Sequence, residues 1–232
     1  MPNTPITKFK LDKDKLDAIR ECTENYDVGQ GNAEWPNNII SRQIVVYESG
    51  LIARKGEKVR HAVDPDELGI CRRRAKEIAK LMKGVDVGMG SESGDPFREF
   101  YIAVNVDEPA AAKITEKLIR AKFAGTIFPP ATITVEPMRE RGVWWAEVRQ
   151  DGSESARSYF DPWKKMIHWF QKCPDLVDSA FVRIGDYRAL SNLDSDKYPK
   201  GTVNVGCVLP RLALGLTKQA SLVGLFGYSV QT

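Results

Sequence analysis

The last thirty residues constrain the fold most. From 203 to 230 the chain reads VNVGCVLPRLALGLTKQASLVGLFGYSV, apolar runs whose only charges are Arg211 and Lys218. Pro210, those two charges and repeated glycines interrupt it too often for a membrane span, which needs about 18 uninterrupted apolar residues. It reads instead as two or three β-strands. A hairpin turn falls at Thr217 to Ser221, with glycines where strands twist or bulge. An exposed edge on these strands would invite pairing with a protein partner or a second copy of the chain.

Upstream, the clearest element is a helix over 65–83. Asp64 suits an N-cap, Pro65 the first helical position, and Glu67 completes a capping-box-like start. Leu68, Cys71, Ala75, Ile78 and Met82 recur at helical spacing and define its buried face, and Gly84 ends it. Before it, 11–24 is helix-like with Leu16 and Ile19 on one side, 25–38 is loop, and RQIVVYESGLIARKGEK reads as a hairpin turning near Glu48-Ser49-Gly50.

The order of elements after residue 96 suggests the architecture. FREFYIAVNV (97–106) alternates as a strand, 108–124 reads as a helix with Ile114, Leu118 and Ala121 inward, and 131–137 reads as a strand. GVWWAEVRQ (142–150) reads as a further strand and 162–172 as a helix opened by Asp161 and Pro162. The series closes with a strand at 179–187. That order, β-α-β-β-α-β, predicts an α+β protein with a ferredoxin-like core over about 97–187. An N-terminal hairpin-plus-helix layer (1–84), a glycine-rich joint (85–96), the core (97–190) and C-terminal strands packing on it (191–232) make up the expected organisation.

Net charge is only +3, so the chain as a whole does not announce a polyanion partner. Local charge says more. Residues 50–83 carry ten Lys/Arg against five Asp/Glu, and from Lys197 onward there are four basic residues and no acidic one. Arg73, Lys76, Lys80 and Lys83 follow steps of three, four and three, a basic stripe opposite the apolar helix face. Such a stripe can track a phosphate backbone; a solvated face with cations near the negative end of the helix dipole is the plainer account of it. Arg42, Arg54, Lys55 and Lys218 are the other candidate anion contacts.

Tyr101 and Trp145 are candidate aromatics for a sheet face, in the manner of base-stacking sheets. The consensus of such sheets is absent, and burial between layers is the competing reading. Catalytic signals are thin. His61 and His168 lack companions for a nucleophile or a zinc site, and His168 sits among Lys164, Lys165 and Lys172 on an expected surface. Glu92, Asp95, Asp178, Asp186, Asp194 and Asp196 match no metal-binding loop. The run GVDVGMGSESGD (84–95) follows a helix and precedes a strand, the reverse of a phosphate loop, which opens a helix.

Cys22, Cys71, Cys173 and Cys207 are dispersed and read as reduced. With no apolar leader in MPNTPITKFKLDKDK, the expectation is a cytoplasmic protein without a cofactor. Three functions follow: assembly through protein contacts or self-association, nucleic-acid and especially RNA binding, or catalysis on an anionic small molecule by Gly88, Gly90 and Lys218.

Overall fold

The computed structural model describes residues 4–24, 38–39, 43–87, 93–94, 96–129, 131–151, 157–185 and 208–230. In chain order these form α1 (Lys13–Glu24), β1 (Ile44–Val46), β2 (Ile52–Arg54), α2 (Pro65–Leu81), β3 (Ser93–Gly94), β4 (Arg98–Ile102), α3 (Glu116–Lys122) and β5 (Ile133–Pro137). They continue with α4 (Val143–Asp151), α5 (Arg157–Lys172), β6 (Leu176–Ile184), β7 (Val208–Thr217) and β8 (Leu222–Val230). The protein is α+β, with helices on both faces of an antiparallel sheet and a separate two-stranded hairpin, β1-β2.

The sheet runs β4-β8-β7-β6-β5, and the short β3 shares the outer edge of β8 with β4. Four successive antiparallel pairings leave β4 and β5 parallel, joined through α3, with β8, β7 and β6 between them. The C-terminal strands therefore hold the middle of the sheet, and the exposed edge expected there does not exist. Every residue of β7 is buried, and so is every described residue of β8 except Tyr228. A strand covered on both faces is apolar on both, which is why these runs do not alternate. The close β7–β8 approach needs Gly224, since an added Cβ would lie 1.9 Å from the Ala213 carbonyl oxygen.

Alternate residues of each strand feed different layers. Phe100, Ile102, Val182, Leu212, Leu214 and Phe226 face one side and pack with Ile19 of α1, Ile44, Val46 and Ile52 of the hairpin, and Ile119 and Phe123 beside α3. Tyr101, Ala103 and Val223 face the other and meet Leu68, Cys71 and Ala75 of α2. Farther along that face, Phe181, Ala213 and Leu225 meet Trp144 and Val148 of α4, Trp163, Met166 and Phe170 of α5, and Ile78 of α2.

The α2 reading holds in detail. The Asp64 side chain accepts hydrogen bonds from Asp66 N at 2.8 Å and Glu67 N at 3.1 Å, and all five apolar positions are buried. The strand expected at 142–150 is instead helix α4. Its N-terminus is capped from another element: Glu136 of β5 accepts hydrogen bonds from Val143 N at 2.9 Å and Trp144 N at 3.1 Å. Trp144 and Val148, four residues apart, then enter the core together.

Two helix boundaries also move. The helix expected at 108–124 shrinks to α3, capped by Thr115 Oγ1 on Leu118 N, and it turns Ile119 and Phe123 inward while Ala121 stays exposed. Helix α5 begins at Arg157, ahead of Pro162, because Tyr159 and Phe160 pack on its core layer. No helix among the described residues is long and apolar enough to cross a membrane.

Candidate functional site

On α5, Trp163, Met166, Ile167 and Phe170 recur at spacings of three, one and three and bury one stripe. That choice turns Lys164, Lys165, His168 and Lys172 outward, and all four are exposed. Helix α2 packs alongside, and between the two lies an open groove of about 560 Å³. Its lining is Arg74 and Leu81 from α2, Lys164, Lys165, His168, Trp169 and Lys172 from α5, and the following Cys173 and Pro174. The floor is largely apolar and the rim largely cationic.

The cations of the rim differ in state. Arg74 is paired twice: Nη1 with Glu77 Oε2 at 2.6 Å and Nε with Asp175 Oδ2 at 2.7 Å. The Glu77 hydrogen bond first, and Asp175 with it, holds the guanidinium above its ordinary range against the opposing effect of burial. The side chains of Lys164, Lys165 and Lys172 have no ion pair or hydrogen bond with the described residues. The indole of Trp169 is half-buried, set edge-on to Phe170 with ring centres 5.0 Å apart.

The basic stripe expected on α2 is present and exposed at Arg73, Lys76, Lys80 and Lys83. It does not line the groove; at ~100° per residue it lies about a third of a turn round from Arg74 and Leu81. Arg73 links the two, with Nη2 3.9 Å from Asp175 Oδ2. Lys218 also comes close. Its backbone N donates to the Asp175 carbonyl at 3.2 Å, so the β7–β8 turn sits at the end of α5. That turn is tied to α2 as well: Thr217 Oγ1 donates to the buried Glu67 carboxylate and accepts from Ser221 N at 3.0 Å.

Arg54 and Lys55 are elsewhere, on the hairpin that packs with the other layer. Arg54 is engaged there, its Nε donating to Ala124 O and its Nη2 to Gly125 O, both at 3.0 Å, so it caps the end of α3. Neither candidate aromatic lies on an open sheet. Tyr101 is covered by α2, its hydroxyl donating to Glu48 O at 3.0 Å and accepting from Lys15 Nζ at 2.7 Å, with Lys15 also 4.0 Å from the ring centre. Trp145 is on α4, not on a strand, and lies edge-on to Trp144.

Cys71 is buried under α2, and burial, then Glu67, pushes its thiol up to about 12, so it stays protonated and unreactive. Asp178 accepts a hydrogen bond from Ile114 N at 2.7 Å. Among the described residues no group of three or more His, Cys, Asp or Glu side chains is arranged to hold a metal ion. Arg42, Gly88, Gly90, Glu92, Asp95, Asp186, Asp194, Asp196, Lys197, Lys200, Cys207 and the side chain of Cys22 lie outside the described residues.

By sequence the α5 lysines and His168 are surface residues, but nothing local joins them to α2 or singles out Trp169 and Arg74. The available signal was the second basic face, on 164–172. Compared with known proteins, the chain matches no family model and no curated protein.

Proposed function

We propose that this protein binds nucleic acid through the cationic surface shared by α2 and α5. One observation carries the reading: Lys164, Lys165 and Lys172 stand without acidic partners among the described residues, around a groove that also presents a half-buried indole. Cations that serve only the fold find carboxylates or carbonyls; cations kept free on a shaped surface are available to an anion. Lys76, Lys80 and Lys83 extend the field along α2, long enough for a chain of phosphates to follow.

This reading displaces assembly through the C-terminal strands, because β7 and β8 are paired on both sides. The sheet edge at β5 is a poor substitute, since Pro137 ends it and Glu136 is engaged in capping α4.

The test is fluorescence anisotropy with labelled RNA and DNA strands over a range of salt. If the three groove lysines each meet a phosphate of a single strand, affinity falls roughly 20-fold between about 50 and 200 mM salt. The triple variant Lys164→Glu, Lys165→Glu, Lys172→Glu loses binding at every salt concentration while its thermal unfolding stays as in the parent. Binding that ignores salt, or that survives the triple reversal, overturns the proposal.

A further inference from the structure

Resting on that reading, we infer that the groove takes a single strand, with one base stacked on Trp169 and its flanking phosphates on Lys165 and Lys172. Half-buried Leu81, Trp169 and Cys173, with the exposed Pro174, supply the apolar part of the lining, the floor, and the exposed lysines that share the lining supply the rim. A duplex offers phosphates outward and keeps its bases stacked inside, so it would meet the rim and leave the floor empty. An unpaired base offers a flat apolar face between two phosphates, which matches floor and rim together.

Size agrees. A groove of about 560 Å³ is within the range of roughly 300–1,000 Å³ that holds small ligands, ample for a base with its sugar. Trp169 is suited to the task by its position on α5. It packs on the adjoining core and edge-on against Phe170, so the ring is held while part of it stays accessible. On a helix, Lys165, Trp169 and Lys172 are separated by four and three residues and share one face. The indole therefore sits between two cations, the spacing that a base between two phosphates requires.

Three labelled probes of about twelve nucleotides, a length within known single-strand site sizes, separate the possibilities. They are an oligouridine strand, an abasic strand with the same phosphates, and an RNA duplex. The oligouridine strand binds tightest. Trp169→Ala lowers its affinity about tenfold or more, to the level of the abasic strand, and leaves the abasic and duplex probes unchanged. Trp169→Phe restores most of the loss, which a merely unfolded variant would not. Lys165→Glu with Lys172→Glu weakens all three. If the three probes bind alike and Trp169→Ala changes none, the single-strand inference fails while nucleic-acid binding stands. If none binds, the functional reading itself fails and takes this inference with it.

Discussion

Two sets of cations in this protein have opposite surroundings. At the corner of β5, β6 and α4, Arg183 is enclosed between Glu136, at 3.0 Å from Nη2, and Glu147, bonded to Nη1, and its side chain is only 14% exposed. In the groove between α2 and α5, the side chains of Lys164, Lys165 and Lys172 face solvent without partners among the described residues. The first arrangement spends its charge inside the molecule, where Glu136 also caps α4. The second leaves its charge uncommitted. The difference separates a residue that holds the fold from residues that act on something else, and it is testable because the two kinds should respond oppositely to substitution.

The largest effect on stability belongs to Arg183→Met. Removing one member of a largely buried ionic group leaves the others uncompensated, here two carboxylates drawn together by the missing cation, of which Glu136 keeps its α4 amides, and the cost is about 3 kcal/mol. In a chain of this length that lowers the melting temperature by about 6–10 °C. Calorimetry of Arg183→Met alongside Arg183→Met with Glu147→Leu sharpens the point, since the second variant removes one stranded charge and regains part of the loss. A single variant as stable as the parent would erase the contrast with the groove, whose triple reversal is expected to change binding and not melting.

Arg54 probes the boundary between the two sets. By sequence it ranks with the candidate anion contacts; by position it is structural, donating to the carbonyls at the end of α3. Arg54→Ala should therefore cost about 1 kcal/mol in urea unfolding and leave nucleic-acid affinity unchanged. Lost affinity with unchanged stability would move Arg54 into the functional set.

What the sequence disclosed follows from where the determining contacts lie. Helix α2 was legible because Asp64, Pro65 and the apolar positions from Leu68 to Met82 are all local. Helix α4 was not, because its cap, Glu136, is on a strand and the adjacent Trp144 and Trp145 imitate strand residues. The apolar character of 208–230 was plain, but central and peripheral strands differ only in their neighbours, and those neighbours are distant: β8 pairs with β4, more than a hundred residues earlier. The groove was hidden for the same reason. Each helix shows a basic face by itself, and only the packing of α5 beside α2 encloses Trp169 and Leu81 between cations.

The smallest expected effect tests a residue that belongs to neither set. His61 is half-buried against Phe9, its ring centre 5.3 Å from the Phe9 ring, and its Nε2 has no hydrogen-bond partner among the described residues. Burial first, then the nearby Lys122 charge, lowers its pKa to about 4, with Glu108 opposing. In the unfolded chain the imidazole takes a proton near pH 6.5. Between those values the unfolded state holds more protons, so acid favours unfolding. The contribution of His61 to stability is complete above pH 6.5, declines as pH falls, and is gone below about pH 4. Because the ring is only half-buried, solvent screening keeps the slope under the one-proton limit of about 1.4 kcal/mol per pH unit. Carboxylates titrate in the lower part of the same window, so the readout is the difference between parent and His61→Gln in urea unfolding from pH 7 to 4.5. The variant should lose stability less steeply. Parallel curves would mean that His61 takes up its proton in the folded protein as readily as in the unfolded one, and Lys122 would then be answered fully by Glu108, to which it is paired at 2.7 Å.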